Sequence, residues 1–271
     1  MTVDPVAAGG FASAAPTYAR IRPAYARAAV GRICELARGT PAGRDAHVLD
    51  VAAGTGILAG QLTRAGLRCT AVEPLGEMAA QLRRSLPAVP CVLGVAEALP
   101  VRDAAADVVT IAQAFHWFDA PSALREVHRV LRPGGVLVLA WNVRDPSVGG
   151  VAALDDLVEA HSGGRPYSHH DEQRWAATIA AAGGFTAVVV ERFDNPVATT
   201  VEGVLDRVRS ISFVAVMPED VRAALLVEAE ALLRDDFGLS GTFEYPHHTV
   251  LDSCVVDTGS SSGRDTDPPS P

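Results

Sequence analysis

The chain has no close pair of cysteines. Its four, Cys34, Cys69, Cys91 and Cys254, are widely separated and form no C-x-x-C spacing, which supports neither a disulfide framework nor a zinc centre. Cys69 and Cys91 lie in apolar runs, where a buried thiol behaves as a small hydrophobe. An excess of positive charge is also missing. The 23 Lys and Arg are outnumbered by 32 Asp and Glu, a net charge of -9 that leaves no footprint for nucleic acid or an anionic membrane. Arg83-Arg84 and similar short pairs read as solvated helix faces. No apolar run is long enough to cross a bilayer. The N-terminus has no basic region followed by an apolar core, so no secretory signal is expected and cytoplasmic is the default location. No internal repeat is visible. The Tyr167 loop, His169-His170 and His247-His248 attract notice by composition only. Without a carboxylate or cysteine at useful spacing they suggest a surface or pocket-rim role, and no metal is expected.

What the chain does have is length for a real core. At 271 residues with 48% apolar and 20% charged content, it reads as a soluble globular protein. The stretch HVLDVAAGTGILAGQLTRAGLRCTAVEP, residues 47–74, reads as strand, tight turn, helix, strand, with Asp50 and Glu73 at the strand ends. Such a unit places its ligand at the strand tips, where Gly54 and Gly56 permit close backbone approach. Two cofactors compete. Gly54, Gly56 and Ala59 satisfy the loose dinucleotide pattern G-x-G-x-x-G/A, with Glu73 near the offset of an acid that grips a ribose. Asp50 shifts the balance, because its carboxylate would repel a pyrophosphate and attract a ligand bearing ammonium and sulfonium centres. S-adenosylmethionine therefore leads, an NAD-dependent oxidoreductase remains the alternative, and a tight turn with no ligand is the third reading.

Residues 1–15 are small and expected to be mobile without ligand, and residues 17–37 read as a loop followed by a helix with Pro23 near its start. Strand one covers 47–51, its helix about 56–65, and strand two 68–72. Pro74 fits the first turn of a helix reaching about residue 86. Strand three is 90–94, and strand four starts at Ala106. Pro121 opens a helix to about Val130, and Pro133-Gly134-Gly135 turns the chain into strand five, 136–141. This alternation predicts a mainly parallel sheet covered on both faces. After Trp141 the rhythm changes: a turn-rich loop at 145–150, a helix at 151–160, a second loop, then a helix near 171–182. A strong strand starts at Phe185, helices follow at 201–213 and 219–234, and the last strand is 248–256. The helices between the two final strands read as an insertion that covers a ligand or completes the core. Residues 257–271 read as a polar disordered tail. That leaves a single domain over 1–256, with a cofactor-binding core at 16–145 and substrate-side cover at 146–247.

Six segments then fall into a series: DVAAGTG at 50–56, AVEPLGEM at 71–78, GVAEALP at 94–100, AQAFHWFD at 112–119, RVLRPGG at 129–135 and LAWNVRD at 139–145. In order and spacing they closely resemble class I S-adenosylmethionine-dependent methyltransferases over roughly residues 10–145. More narrowly, the chain resembles the small-molecule group that includes ubiquinone/menaquinone-type and trans-aconitate-type methyltransferases. The resemblance implies a Rossmann-like α/β fold: a seven-stranded, mostly parallel sheet, helices on both faces, and the last strand antiparallel. It implies S-adenosylmethionine as cofactor and O- or C-methylation of a small acceptor, with a carboxylate or a biosynthetic intermediate as candidates. A cofactor-retaining cyclase or decarboxylase on the same fold is the neighbouring alternative.

Residue by residue, the resemblance assigns Gly54 and Gly56 to the methionine part of the cofactor and Asp50 to the loop and the cofactor's amino group. Glu73 is assigned to both ribose hydroxyls, with Pro74 and Met78 in the same motif. Ala96 and Glu97 border adenine, and Gln113 lies at the cofactor-facing end of strand four. Ala52 replaces the glycine often first in the motif and is expected to keep an ordinary backbone conformation. Val95 stands where some relatives place a polar residue. Tyr18, Arg22 and Tyr25 would lie over the cofactor, unless the tyrosines simply pack a helix and Arg22 is a surface charge.

Methyl transfer from a sulfonium needs an aligned nucleophile and a site without water, so no catalytic dyad is required. His116, after strand four, is the candidate base or orienting group. Trp117 beside it could wall the pocket or present its ring face to the sulfonium; both could instead pack the loop. Asn142, Arg144 and Asp145 follow strand five at the same sheet edge. Arg144 reads either as the partner of a substrate carboxylate or as an internal pair with Asp145.

Overall fold

The computed structural model describes residues 22–162 and 172–257. The expected mobile segment 1–15, Tyr18, Tyr167, His169-His170 and the tail from residue 258 lie outside the described residues. The centre is built from short runs rich in β-branched residues, which fit a pleated surface buried on both sides. These are β1 (His47–Val51), β2 (Arg68–Glu73), β3 (Cys91–Leu93), β4 (Ala106–Ala112) and β5 (Leu131–Arg144), followed by β6 (Val189–Asp194) and β9 (His247–Val255). They form one seven-stranded sheet in the order β3-β2-β1-β4-β5-β9-β6. Strands β1 to β5 pair in parallel, whereas β9 runs antiparallel to both β5 and β6. The expected architecture is the observed one.

Helices cover both faces. α1 (Arg27–Gly39), α2 (Ile57–Arg64) and α3 (Gly76–Ser85) supply Ile33, Leu58 and Leu82 against Val48, Val108 and Val138 of the sheet. On the other face α4 (Ala120–Val130) and α6 (Glu172–Ala182) supply Leu124, Val127, Trp175 and Ile179 against Leu49, Ile111, Leu139 and Trp141. The two faces alternate along each strand, as period-2 geometry requires. A third core lies apart from the sheet. It joins α5 (Gly149–Ala160) to α7 (Val201–Arg209), α8 (Ser212–Ala215) and α9 (Glu219–Ala231) through Leu154, Val158, Val204, Phe213 and Leu225. Among the described residues no helix is long and apolar enough to cross a membrane.

Several boundaries differ from expectation. Pro74 lies outside the first turn of α3, where Leu75 is the extended cap residue, because β2 runs one residue further to Glu73. β5 starts at Leu131, and Pro133-Gly134-Gly135 forms an irregularity inside it, the pairing with β4 shifting register between Ala106 and Val108. Gly134 has φ +74°, which glycine adopts without strain. Phe185 contributes only an isolated bridge to Val256, and the strand proper begins at Val189. The expected helix at 201–213 breaks into α7 and α8 at Ser210 and Ile211. An unforeseen two-stranded antiparallel sheet pairs β7 (Val197–Thr199) with β8 (Phe243–Tyr245), closing the insertion at its base.

Candidate functional site

Parallel order places the carboxyl ends of β1, β2, β4 and β5 on one edge of the sheet, together with the start of β9. Four residues at this edge are left-handed, two of them the motif glycines. Ala52 has φ +53° and Gln113 φ +55°, while Gly54 and Gly56 have +58° and +85°. Ala52 therefore departs from the ordinary conformation expected of it, because the chain reverses direction directly after β1; an L-residue there stores strain of about 1 kcal/mol. The two glycines differ in kind. A Cβ on Gly56 would meet Leu86 Cδ1 at 2.8 Å and Leu82 Cγ at 2.9 Å, so this glycine packs α2 onto α3. A Cβ on Gly54 would meet nothing within 4 Å, so this glycine borders open space at the strand tips.

Glu73 holds that turn in place. Its Oε2 accepts the Gly54 amide at 2.8 Å and its Oε1 accepts the Leu75 amide at 2.9 Å, although the residue is only 3% exposed. Burial raises its pKa, opposed by the two amides. Asp50, fully buried, accepts the Thr110 hydroxyl at 2.6 Å through Oδ1, while Oδ2 has no hydrogen-bond partner among the described residues. Burial, with the Glu73 charge adding to it and Thr110 and the Ala59 amide opposing it, pushes Asp50 up to about 7. Ala96 is buried against the α4 face, and Glu97 accepts the Asp119 amide at 3.0 Å. Met78 is buried and Pro74 half-buried beside Glu73.

Beyond β4, Phe115–Trp117 forms a short 3-10 turn. The ring of His116 lies 4.6 Å from that of Trp117 and 5.7 Å from Trp141, and Trp141 stacks on Trp175 at 5.7 Å with a 3° interplanar angle. Burial, helped by the positive charges of Arg174 and Arg22, lowers His116 to about 4, so its imidazole is neutral at pH 7; its buried Nδ1 has no hydrogen-bond partner among the described residues. Trp175, whose buried Nε1 also lacks a hydrogen-bond partner among them, escaped the sequence reading, because an isolated tryptophan on an alanine-rich helix carries no motif.

The segment Pro23–Ala26 runs across the sheet edge as a strap. Tyr25 exchanges two hydrogen bonds with the Gln61 amide, at 2.9 and 2.7 Å. The Asn142 side chain donates to the carbonyls of Pro23 and Ala24, and its Oδ1 accepts from Thr249 at 2.6 Å and Asn195 at 3.1 Å. Asn142, read from sequence as a substrate contact, thus spends its side chain on holding the strap. Its carbonyl accepts from Gln113 Nε2 at 3.0 Å, linking the β4 and β5 tips. Tyr25 is buried in the core beneath, and Arg22 is half-buried, with His116 and Arg207 both within reach of its charge.

Arg144 pairs with Asp155 of α5 at 2.7 Å instead of with Asp145. Asp145 caps the Ser147 amide at 2.9 Å and meets His248 at 3.3 Å, since neighbouring residues on a strand point to opposite sides. Next to Arg144 across the ladder stands His247, whose Nδ1 lies 3.1 Å from the Tyr245 carbonyl and whose Nε2 lies 3.5 Å from Arg207 NH1. Burial, with Arg207 and Arg144 adding to it, lowers His247 to about 4, so Nδ1 carries the proton and Nε2 accepts. Sequence reasoning missed Arg207 and Tyr245. The only local signal was the Tyr-Pro-His-His run entering β9.

Residues 49–139 match a family described as a methyltransferase domain. The chain is 37% identical over 223 residues to an uncharacterized methyltransferase of Mycobacterium bovis, covering 82% of this chain and 85% of that protein. It is 43% identical over 93 residues to a ubiquinone/menaquinone biosynthesis C-methyltransferase of Rubrivivax gelatinosus, covering 33% of this chain and 36% of that protein. Among solved structures, the YcgJ protein of Bacillus subtilis superimposes with a TM-score of 0.59 at 20% identity, covering 86% of this chain and all of that one, a likeness of fold.

Proposed function

The chain belongs to the class I S-adenosylmethionine-dependent methyltransferases, and from that premise we propose that it methylates a small acceptor at oxygen or carbon, releasing S-adenosylhomocysteine. The observation that carries this reading is the buried Asp50 Oδ2, without a hydrogen-bond partner among the described residues, on the strand that leads into the turn where Gly54 borders open space. A lone buried acceptor is satisfied by an ammonium group, and open space over a glycine accommodates the chain that bears it. A pyrophosphate at the same place would meet the Asp50 carboxylate, which disfavours a dinucleotide. Glu73 fits the ribose role because each of its oxygens keeps a lone pair after taking one backbone amide. Ala96 and Glu97 border adenine, Pro74 and Met78 back the ribose, and Gln113 faces the methyl-bearing end. The finer likeness to quinone-type and trans-aconitate-type enzymes rests on the motif-bearing first half of the chain.

S-adenosylmethionine supplies an electrophilic methyl group on sulfur, and the protein's task is to align a nucleophile with it and exclude water. Arg22 and the strap that follows it close the edge over the strand tips, with the Tyr25 ring packed beneath. Trp117 and Trp141 wall the acceptor side with apolar surface. His116, neutral at pH 7, accepts a proton from an acceptor that must lose one; at a pKa of about 4 it is a weak base, suited to acceptors that are already acidic or ionised. Arg144 is tied to Asp155, which matches its charge.

Calorimetric titration with S-adenosylmethionine, S-adenosylhomocysteine and NAD(H) tests the cofactor assignment. Selective binding of the two sulfur ligands is expected, and binding of NAD(H) alone would replace this reading with an oxidoreductase. Conversion of an acceptor without release of S-adenosylhomocysteine would point to cofactor-retaining chemistry.

A further inference from the structure

We propose that Arg207, Tyr245 and His247 form a subsite that holds a carboxylate of the acceptor, at the junction of the helical insertion and the last strand. The identity of that ligand as a methyl acceptor rests on the function proposed above. The subsite itself rests on unmet polar groups. Tyr245 is 3% exposed and its hydroxyl has no hydrogen-bond partner among the described residues. The charges of Arg144, Asp155 and Arg207 act on that hydroxyl. Arg207 is half-buried on α7, and among the described residues no carboxylate lies within ion-pair distance of it. Its one hydrogen bond to them is the 3.5 Å contact with His247 Nε2, which leaves most of the guanidinium fork without a partner.

The Tyr245 ring and the Arg207 guanidinium both adjoin His247, at 5.2 Å between ring centroids and 3.5 Å from Nε2, and a carboxylate satisfies both groups, its two oxygens accepting from the fork and the phenol. A neutral carbonyl can accept from both but leaves the guanidinium charge unanswered. The charge balance also calls for an anion. His247 is neutral at pH 7 and the Arg144 charge is matched by Asp155 at 2.7 Å, so the Arg207 charge, to which that of Arg22 adds, falls to the ligand. A dianionic phosphate in the same space would face the Asp155 carboxylate.

Position gives the subsite its use. His247 pairs with Arg144 in the β5–β9 ladder, and β5 lies between β9 and the β4 tip that carries Gln113 and His116. Two strand spacings are about 10 Å, the reach of a small acid. The carboxylate is therefore a handle that anchors one end of the acceptor while the other end meets the methyl group beside the tryptophans. Sequence distance explains why no motif marks it: the residues come from α7, β8 and β9.

The test is calorimetry on the full chain with acetate, butyrate and 3-phenylpropionate, against 3-phenylpropionamide and inorganic phosphate, with and without saturating S-adenosylhomocysteine. At least one carboxylate is expected to bind about tenfold more tightly than the amide and more tightly than phosphate. Arg207→Met and Tyr245→Phe are each expected to weaken it about fivefold or more, with S-adenosylhomocysteine affinity unchanged. Tyr245→Phe preserves shape, so it answers the question even if Arg207→Met folds poorly. Equal binding of the amide, preference for phosphate, no carboxylate binding up to about 10 mM, or undiminished binding in Tyr245→Phe would each overturn the proposal. Loss of S-adenosylhomocysteine binding in the wild type would instead strike the cofactor reading, and the titration without it still decides the subsite.

Discussion

At the β1–β2 tips the polar groups answer one another. Both Glu73 oxygens take backbone amides and one Asp50 oxygen takes the Thr110 hydroxyl, so that among the described residues the second Asp50 oxygen and the Thr55 hydroxyl are left over. From the β4 tip to the start of β9 more of the buried groups go unanswered. His116 Nδ1, Trp175 Nε1 and the Tyr245 hydroxyl all lack hydrogen-bond partners among the described residues. The first end is organised before anything binds, as suits a cofactor of fixed shape. The second is complete only with its acceptor, and its surplus polar groups describe that acceptor in negative.

The largest test of this contrast is Glu73→Ala. Losing two charge-assisted hydrogen bonds to the turn, together with the ribose contact, should weaken S-adenosylhomocysteine binding by about 100-fold or more by calorimetry. A loss under about threefold would mean that the turn holds itself. Next come the two glycines. Gly56→Ala should lower stability by about 2–4 kcal/mol in urea melts, from collision and left-handed strain together. Gly54→Ala should lower it by only about 1 kcal/mol while impairing cofactor binding. Equal destabilisation would erase the distinction between the packing glycine and the open one.

The ends also carry opposite pH responses. His116 and His247, both lowered to about 4 by burial, stay neutral in the folded protein while the unfolded chain takes up protons near 6.5. Their contribution is fully present above pH 6.5 and is lost as pH falls towards 4, on the order of 1–2 kcal/mol each by pH 5. Asp50 acts the other way: raised to about 7, it destabilises the fold as pH climbs from 4 to 7 in the absence of ligand. Cofactor affinity should therefore rise with pH to a plateau above 7, and Asp50→Asn should flatten that profile. A wild-type profile that is flat between pH 5 and 8 would remove Asp50 from the ammonium site.

Two small effects sharpen the picture. Tyr245→Phe removes an unsatisfied buried hydroxyl and should raise stability by about 1 kcal/mol in thermal melts, although it weakens carboxylate binding. A stability loss would mean that the hydroxyl has a partner in solution. Ala52→Gly should raise stability by up to about 1 kcal/mol through relief of the +53° conformation, with cofactor affinity unchanged.

Legibility follows the same division. The strand boundaries of β1 and the β1–α2–β2 unit were readable because each depends on residues a few positions apart. Arg144 shows where that stops. Its neighbour Asp145 was a candidate partner by adjacency, but strand geometry turns it away, and Asp155 arrives from the next helix. Asn142 sits at a strand tip where a ligand contact is a natural reading, yet Thr249, Asn195 and the strap use its amide. Ala52 was misjudged because a backbone dihedral depends on where the chain must go next, which composition does not encode.

The amino-acid sequence by itself determined the sheet class, the glycine turn and the two acids at its tips, because strand period, turn chemistry and motif spacing are local properties. Only the tertiary structure decided that Asp50 keeps one oxygen unmatched, that Gly56 packs while Gly54 opens, and that Arg207 and Tyr245 both adjoin His247. Those facts depend on burial and on antiparallel pairing of β9 with β5, which brings together side chains as far as 111 residues apart, as for Trp141 and Asp252. Desolvation and pairing act on distance in space, and distance along the chain carries no record of it.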